Sequence, residues 1–356
     1  MKNGIFKIGL IMGISSLISS CEKPATSFSL LEASQAFTQG SQTVNTKVDI
    51  LWVVDNSGSM SALQQNLTNN FSSFMTNFIN KGIDFNIAVT TSDAYLSGAK
   101  FSNNNTLAQF KDGVGTTHTG VRIINPTTPN IVNTFVTNAL QGETGSGDER
   151  VFSSFRNALT NPLNAGFPRP GAFLAVIILS DEDDFSGDNR AQNGGIDHSY
   201  TASTLDPVQT YIDFLDTLTR TTNINNRNYS VSAVAVIDNN CLASHQPAAP
   251  SSIIGQRYMT MANATKGILA SICANYATSL LAIQQRILEL STAFHLDRAP
   301  IVSSIRVLVN GGNIIQDAVN GWTYDSVSNS IIFHGTALPQ QGSSINIYFD
   351  PVTVAQ

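Results

Sequence analysis

One short segment constrains this chain more than any other, because an apolar run passes directly into an acid and two hydroxyls. The run Leu51–Val54 contains β-branched and aromatic residues, a composition typical of a strand covered on both faces. Asp55, Ser57 and Ser59 follow at alternating positions, and Gly58 allows the backbone to turn sharply. We expect these three oxygen-bearing side chains to converge at the carboxyl end of the strand. One carboxylate and two hydroxyls suit a hard divalent cation and leave room for a ligand from outside.

Strands and amphipathic helices alternate from Lys47 onwards, and this alternation predicts an α/β fold. The strongest strand pattern is Ala172–Leu179, and the first strand is followed by apolar residues at helical spacing between Ser61 and Phe78. Such alternation implies a central, mostly parallel sheet that is covered on both sides. Ligands of these sheets bind beyond the carboxyl ends of the strands, which is where Asp55 lies.

The last part of the chain has a different pattern, in which short apolar runs are separated by turn residues. Runs at Ser304–Val309, Ile331–His334 and Ser344–Phe349 alternate with Gly-Gly, Asn-Gly and Pro-containing turns. We therefore predict a small C-terminal all-β module that covers residues 299–356.

The amino-terminal residues 1–20 have the pattern of an export signal. Lys2 and Lys7 flank an apolar run from Ile5 to Ile18, which is too short to span a bilayer comfortably. The segment that ends at Cys21 resembles the bacterial lipobox, and this resemblance implies that Cys21 is lipidated. An ordinary signal peptide that is cut nearby is the alternative.

Export has consequences for location and for the remaining cysteines. Because Glu22 rather than Asp follows Cys21, the outer membrane is the expected location, with the protein facing the periplasm or the cell surface. Residues 21–46 are polar and unpatterned, which predicts a tether. An oxidising compartment favours a disulfide between Cys241 and Cys273, and two buried free thiols are the alternative. The spacing of these cysteines argues against zinc.

The charge balance excludes one class of partner. The chain has 19 basic and 25 acidic residues, a formal net charge of -6, and no cluster of Lys and Arg that could neutralise phosphates. Nucleic acid is therefore not an expected partner.

The segment Asp55-Asn56-Ser57-Gly58-Ser59 resembles the Asp-x-Ser-x-Ser motif of von Willebrand factor type A domains. In that family a metal ion-dependent adhesion site adds a Thr or Ser from a second loop and an Asp that follows the fourth strand. Ser146 matches the second-loop position, with Thr144 as the alternative, and Asp181 matches the later Asp. The resemblance covers residues 47–298 and implies a Rossmann-like three-layer domain.

The same resemblance implies a metal-dependent module for protein binding or adhesion, anchored to the bacterial envelope. The implied cation ligands are Asp55, Ser57, Ser59 and Ser146, with Asp181 in a supporting role. Because hydroxyls are neutral, the cation would keep an excess of positive charge and attract a carboxylate from a partner protein. Mg²⁺ is the expected ion, and Mn²⁺ or Ca²⁺ are the alternatives. A structural envelope-assembly component, in which the metal stiffens the loops, is the alternative function.

An enzyme is not predicted. Ser57 or Ser59 could serve as the nucleophile of a hydrolase, but the sequence contains no Gly-x-Ser-x-Gly motif and no phosphate-binding loop. The histidines that such a hydrolase could use are His118, His198, His245, His295 and His334.

A run of acids follows the strongest strand and remains open to two interpretations. Glu182 stands where the type A family usually has Gly, and Asp183 and Asp184 follow it. We interpret these three acids as a solvated loop, with a second ion site as the alternative.

Overall fold

The computed structural model describes residues 37–43, 46–187 and 199–352, and of residues 37–43 it describes only the backbone. The predicted signal peptide, Cys21 and His198 lie outside the described residues. Within the described part of the chain, no helix is both long enough and apolar enough to cross a bilayer.

Strands and helices alternate through the larger part of the chain, as the hydrophobic pattern predicts. The strands are β1 (Phe37–Thr43), β2 (Lys47–Val54), β3 (Asp84–Thr91), β4 (Gly113–Val114), β5 (Thr117–His118), β6 (Ile123–Ile124), β7 (Phe173–Leu179), β8 (Tyr229–Ala235), β9 (Leu269–Ser271), β10 (Phe294–His295), β11 (Arg306–Val309), β12 (Gly312–Ile314), β13 (Trp322–Asp325), β14 (Ser330–Phe333) and β15 (Ser344–Phe349). The helices are α1 (Ser61–Asn80), α2 (Ile131–Ala139), α3 (Val151–Thr160), α4 (Val208–Leu218), α5 (Asn239–His245), α6 (Gln256–Ala264) and α7 (Tyr276–Ser291).

The central sheet has six strands in the order β6-β3-β2-β7-β8-β9. Five of them are parallel, and the short edge strand β6 runs antiparallel to β3. Helices cover both faces of this sheet, so the predicted three-layer α/β fold is confirmed. The parallel direction places the carboxyl ends of β2 and β7 side by side, which brings Asp55 and Asp181 to the same edge of the sheet.

Alternate side chains of β2 enter two separate cores. Trp52 points into the core that includes α1, α2 and α7, where its ring meets Phe74 and Phe135 edge-on at 5.5 and 5.6 Å between ring centroids. Leu51 and Val53 point into the other core, which includes α3, α4 and α6. A strand that is buried on both faces is expected to be mostly apolar, and this is why β2 could be predicted from its run Leu51–Val54.

Small antiparallel sheets form the C-terminal part, as predicted. One has the order β1-β15-β11-β12, and the other has the order β10-β14-β13. Strand β1 lies within the segment that the sequence pattern assigns to a tether, and it pairs with β15. Residues 36–356 form one compact unit, and apolar side chains of β11 and β15, including Val307 and Ile347, join the core that contains α1 and α7.

The predicted disulfide between Cys241 and Cys273 is confirmed. It connects α5 to the turn between β9 and α7. Helix α5 begins at an Asp238 cap, whose side chain accepts a hydrogen bond from the backbone N–H of Cys241. The disulfide therefore fixes a short helix that lies close to the carboxyl edge of the sheet.

Candidate metal centre

Two loops meet where β2 and β7 end. The backbone N–H of Asp55 donates to the carbonyl of Leu179 at 2.9 Å, which continues the pairing of the two strands by one residue. The Ser59 hydroxyl then donates to Asp181 Oδ1 at 3.0 Å, across 122 residues of sequence. The structure thus brings together Asp181 and the loop Asp55–Ser59, which is called the motif loop below. These are the two parts of the site that the type A resemblance predicts at this edge.

The Asp55 carboxylate is fully buried and is held by its own loop and by its neighbours. Its Oδ1 accepts a hydrogen bond from the backbone N–H of Ser57 at 2.8 Å, and its Oδ2 accepts one from the Ser180 hydroxyl at 2.6 Å. Burial raises the pKa of Asp55 to about 6, although the hydrogen bonds from Ser180 and Ser57 oppose this rise. The negative charge of Asp181 raises the same pKa further.

Both carboxylate oxygens of Asp181 already have hydrogen-bond donors. Oδ1 accepts from Ser59, while Oδ2 accepts from the Ser252 hydroxyl at 2.7 Å and from His245 Nε2 at 3.1 Å. A carboxylate with this many donors orients the hydroxyl of Ser59 and has little capacity left for a cation. Its geometry is therefore compatible with the supporting role that the sequence assigns to Asp181.

The Ser57 hydroxyl is buried, and its approach to the Asp55 carboxylate lowers the pKa of that acid. Within residues 46–187 and 199–352 no group donates a hydrogen bond to the Ser57 oxygen. The side chain nevertheless lines an open cavity of about 290 Å³, together with Ser59 and Glu182. The opposite wall is the turn Ala248–Ser251, which follows α5. A buried hydroxyl oxygen that accepts no hydrogen bond from the protein keeps its lone pairs available, so Ser57 can act as a cation ligand beside Asp55.

The second loop of the expected site is docked onto the motif loop by one direct hydrogen bond and by two bonds that both loops make to Asp93. The backbone N–H of Gly145 donates to the Asn56 carbonyl at 2.8 Å, and Asn56 Nδ2 donates to Asp93 Oδ2 at 3.1 Å. The backbone N–H of Ser146 donates to Asp93 Oδ1 at 3.1 Å. A side chain at Gly145 would bring its Cβ to 2.4 Å from Asn56 Nδ2, so this close approach requires glycine.

The Ser146 hydroxyl is directed into its own loop. It accepts hydrogen bonds from the Asp148 backbone N–H at 3.1 Å and from the Tyr95 hydroxyl at 3.3 Å. Thr144, the alternative second-loop ligand, is exposed to solvent. Neither side chain has a hydrogen bond to Asp55 or Ser57, so the assignment of Ser146 or Thr144 as a ligand stays a prediction.

Glu149 lies at the same centre, and the sequence pattern did not select it. The residue is fully buried, and apart from the approach of the Ser92 hydroxyl its carboxylate oxygens have no hydrogen-bond donor in the described residues. Burial raises its pKa well above the ordinary value for Glu, the charges of Asp55 and Glu182 raise it further, and the Ser92 hydroxyl opposes the rise. The sequence signal that could have identified Glu149 is its position, an acid between a Gly-rich loop and the start of α3.

The acids that follow β7 are buried, so their interpretation as a solvated loop was wrong. The exposed fraction of Glu182 is 3%, and Asp183 and Asp184 are fully buried. Arg257 compensates two of them, because its backbone N–H donates to Asp183 and its Nε donates to Asp184 Oδ2 at 3.0 Å. Since these two carboxylates have protein donors, a second ion site at this loop is not favoured. Burial raises the pKa of Glu182 to about 7.

The residues present fit a hard divalent cation bound among hydroxyls and carboxylates. Within the described residues no three His, Cys, Asp or Glu side chains are arranged as a metal site, but a centre of the type A kind takes part of its ligands from hydroxyls. Among the described residues, no group donates to the buried Ser57 oxygen and only the Ser92 hydroxyl approaches those of Glu149. The charge of Asp55 acts on Glu149 directly. No basic side chain is among the main influences on the pKa of Asp55 or Glu149. Oxygen donors with net negative charge and no counterion are what Mg²⁺, Mn²⁺ and Ca²⁺ require.

Comparison with known proteins adds resemblance in fold only. No family model and no characterised protein matches the sequence. The pilus adhesin SpaC from Lactobacillus rhamnosus GG, in its open conformation, is 13% identical with a TM-score of 0.39, over 88% of this chain and 42% of the adhesin. Proximal thread matrix protein 1 from the mussel byssus is 10% identical with a TM-score of 0.38, over 73% of this chain and 52% of that protein. The ArnB paralog VWA2 from Sulfolobus acidocaldarius is 10% identical with a TM-score of 0.31, over 87% of this chain and 57% of that protein. The chain thus spans about half the length of these structures, and the similarity carries no conclusion about function.

Proposed function

We propose that this chain is a divalent-cation-dependent module that binds a protein partner at the bacterial envelope. The observation that supports this most is the Ser57 hydroxyl, which is buried beside Asp55 in the wall of an open cavity and whose oxygen receives no hydrogen bond from the described residues. A cation held there would bind the hydroxyl oxygen and would face the cavity. The partner would then complete the coordination shell from the solvent side.

The ligand on the partner is proposed to be an acidic side chain. Asp55 and Ser57 would hold the cation, and Ser59 would lie near it under the control of Asp181. Mg²⁺ is the first candidate because it retains open positions when few protein carboxylates bind it, and Mn²⁺ and Ca²⁺ remain alternatives. The lipid anchor at Cys21 and the outer-membrane location belong to the same proposal and derive from the sequence alone.

A binding role is proposed rather than a catalytic one. The Ser57 hydroxyl has no His partner in residues 46–187 and 199–352, and His245, whose ring is close to this edge, is bonded to Asp181. A Ser nucleophile needs a base within hydrogen-bond reach.

The alternative function, a structural envelope component in which the metal only stiffens the loops, makes a different prediction about chelation. A stiffening metal would be enclosed, whereas here the cavity opens between Ser57 and the turn Ala248–Ser251. This opening favours the binding function over the structural one.

The test begins with the purified mature protein and calorimetric titration of Mg²⁺, Mn²⁺ and Ca²⁺. We expect saturable binding of at least one cation and a loss of at least about a hundredfold in affinity in Asp55→Ala, because a direct carboxylate ligand is removed. Asp213→Asn, at an exposed residue of α4, is the matched control and should bind like the wild type. Absence of any cation affinity in the wild type would rule out the proposal.

The second step tests partner capture from envelope extract, with and without EDTA. Capture that is lost in EDTA and in Asp55→Ala, and is restored for the wild type by added Mg²⁺, supports cation-dependent binding. Capture that persists in EDTA supports the structural alternative instead.

A further inference from the structure

We propose that Glu149, and not Ser146, supplies the second-loop ligand to the cation. This inference depends on the proposed function, because it requires a cation at the Asp55 centre. It concerns which side chain of the second loop faces that centre. The motif alone suggests Ser146, with Thr144 as the alternative.

The first step is the position of the two candidate side chains. The Ser146 hydroxyl accepts hydrogen bonds from Tyr95 and from the Asp148 backbone, so its lone pairs are occupied away from the centre. Glu149 has an exposed fraction of 0%, and the Ser92 hydroxyl is the one described group that approaches its oxygens as a donor. The loop thus presents one satisfied hydroxyl and one largely unsatisfied carboxylate.

The second step is the surroundings of Glu149. The charged groups with the largest effect on its pKa are Asp55 and Glu182, both acidic. Arg150, the next basic residue along the chain, makes its contacts elsewhere. Arg150 donates to Asp148 Oδ2 at 2.7 Å and stacks on the ring of Tyr95. A carboxylate buried among other carboxylates, without a basic neighbour, is stabilised by a bound cation more than by any group of the protein.

The third step is the rigidity of the backbone that carries Glu149. The loop before it is attached to the motif loop by the hydrogen bond between Gly145 and Asn56. The residue after it, Arg150, forms an ion pair with Asp148. The carbonyl of Glu149 itself accepts a hydrogen bond from the Phe185 N–H at 2.7 Å, which ties it to the segment after β7. Because the backbone is held on both sides of Glu149, its carboxylate is preorganised as a ligand.

The consequence is a more acidic centre than one with Asp55 as its single carboxylate. Two direct carboxylates neutralise a divalent cation, so the protein should hold the ion more tightly and attract a partner acid less strongly. Additional carboxylate oxygens also favour Ca²⁺ or Mn²⁺ relative to Mg²⁺, which retains more water.

The rival explanation is that Glu149 is a neutral buried acid with a purely structural role. Glu149→Gln separates the two, because the amide keeps the shape of the side chain and removes its charge. If Glu149 binds the cation, the variant should lose at least about a hundredfold in Ca²⁺ or Mn²⁺ affinity by calorimetry. The cation-free variant should unfold at the same temperature as the wild type or higher, because an unpaired buried acid has been removed. Ser146→Ala should change the affinity by less than about threefold.

The outcomes distinguish this inference from the proposed function. If the wild type binds no cation, the proposed function fails and Glu149 is not a ligand. If the wild type binds and Glu149→Gln binds equally well, the inference is wrong while the proposed function stands. If Ser146→Ala loses as much affinity as Asp55→Ala and Glu149→Gln loses none, the second-loop ligand is Ser146. Should Glu149→Gln fail to fold, Glu149→Asp keeps the charge but withdraws it by one methylene, and unchanged affinity in that variant overturns the inference.

Discussion

At the level of single residues, hydrogen bonds between loops determine which oxygens remain available at the candidate metal centre. Asp181 accepts hydrogen bonds from Ser59, Ser252 and His245, and Ser146 accepts them from the Asp148 backbone and from Tyr95. In the part of the chain that the structure describes, the Ser57 oxygen has no donor and Glu149 has only the approach of the Ser92 hydroxyl. The availability of an oxygen is therefore a property of its neighbours, since hydroxyls and carboxylates of the same type differ here in what they can bind.

Gly145 allows a prediction about this docking. In Gly145→Ala the new Cβ would lie 2.4 Å from Asn56 Nδ2 and 2.8 Å from the Asn56 carbonyl, so the second loop must move away from the motif loop. We expect cation affinity to fall by at least about tenfold, in the range that misplaced supporting groups produce. Calorimetry on the variant measures this loss.

Gly312→Ala is the control for the general effect of replacing Gly by Ala, because a Cβ there meets only Val309 O at 3.4 Å and the residue is exposed. It should leave cation affinity unchanged. Wild-type affinity in Gly145→Ala would show that the docking of the two loops does not determine the centre.

The sequence predicted one part of the centre and left another part open. Asp55 and Asp181 could be brought together because adjacent parallel strands end at the same edge of a sheet. The choice between Ser146 and Glu149 depends on which way each side chain turns within the loop. That direction is set by Tyr95, a residue far away in sequence, and no local pattern reports such a contact.

At the level of elements, one arginine connects the amino ends of neighbouring strands, opposite the metal centre. Arg169 donates from Nε to Asp49 Oδ1 at 2.8 Å and pairs through Nη1 with Asp84 Oδ1. Asp49 lies on β2 and is fully buried, whereas the Asp84 side chain at the start of β3 is 42% exposed. The two ion pairs differ in burial and should differ in their energetic weight.

We predict that Arg169→Met destabilises the protein by about 3–5 kcal/mol, because it leaves the Asp49 carboxylate buried without its partner. Asp84→Asn should cost less than about 1 kcal/mol, because exposed ion pairs contribute little. Urea denaturation of both variants gives the two free energies of unfolding. Equal effects of the two substitutions would contradict the assignment of the stability to the buried pair.

The longer elements of the sheet were predictable and the shorter ones were not. The apolar runs of β2 and β7 are buried on both faces, and their composition alone identifies them. Helix α5 has seven residues and no amphipathic repeat, and β1 is polar, so neither produced a pattern. Helix α5 nevertheless carries His245 to Asp181, and its position depends on the disulfide, which could be predicted from export.

At the level of the whole molecule, the chain closes on itself near its ends. Strand β1 runs antiparallel to β15, with Phe37 opposite Phe349 and Thr43 opposite Ser344. The segment that precedes the central strand β2 is therefore part of the same sheet as the last strand of the C-terminal part. Pairing of this kind links residues about 300 positions apart, and the sequence of neither strand indicates which strand it pairs with.

This closure gives the last prediction, which compares a chain that begins at Val44 with one that begins at Ala36. The shorter chain lacks β1, so β15 becomes an edge strand with unpaired backbone groups. We expect a loss of about 2–4 kcal/mol, on the order of 1 kcal/mol for each of a few ladder hydrogen bonds. We also expect self-association at higher concentration, because an open edge accepts a strand from another copy. Urea denaturation and light scattering measure the two effects.

Because the candidate metal centre lies at the carboxyl edge of a different sheet, cation affinity should be the same in both chains. Equal stability of the two chains would mean that β1 contributes nothing to the stability of the fold. A fall in cation affinity would mean that the pairing of β1 with β15 is coupled to the candidate metal centre.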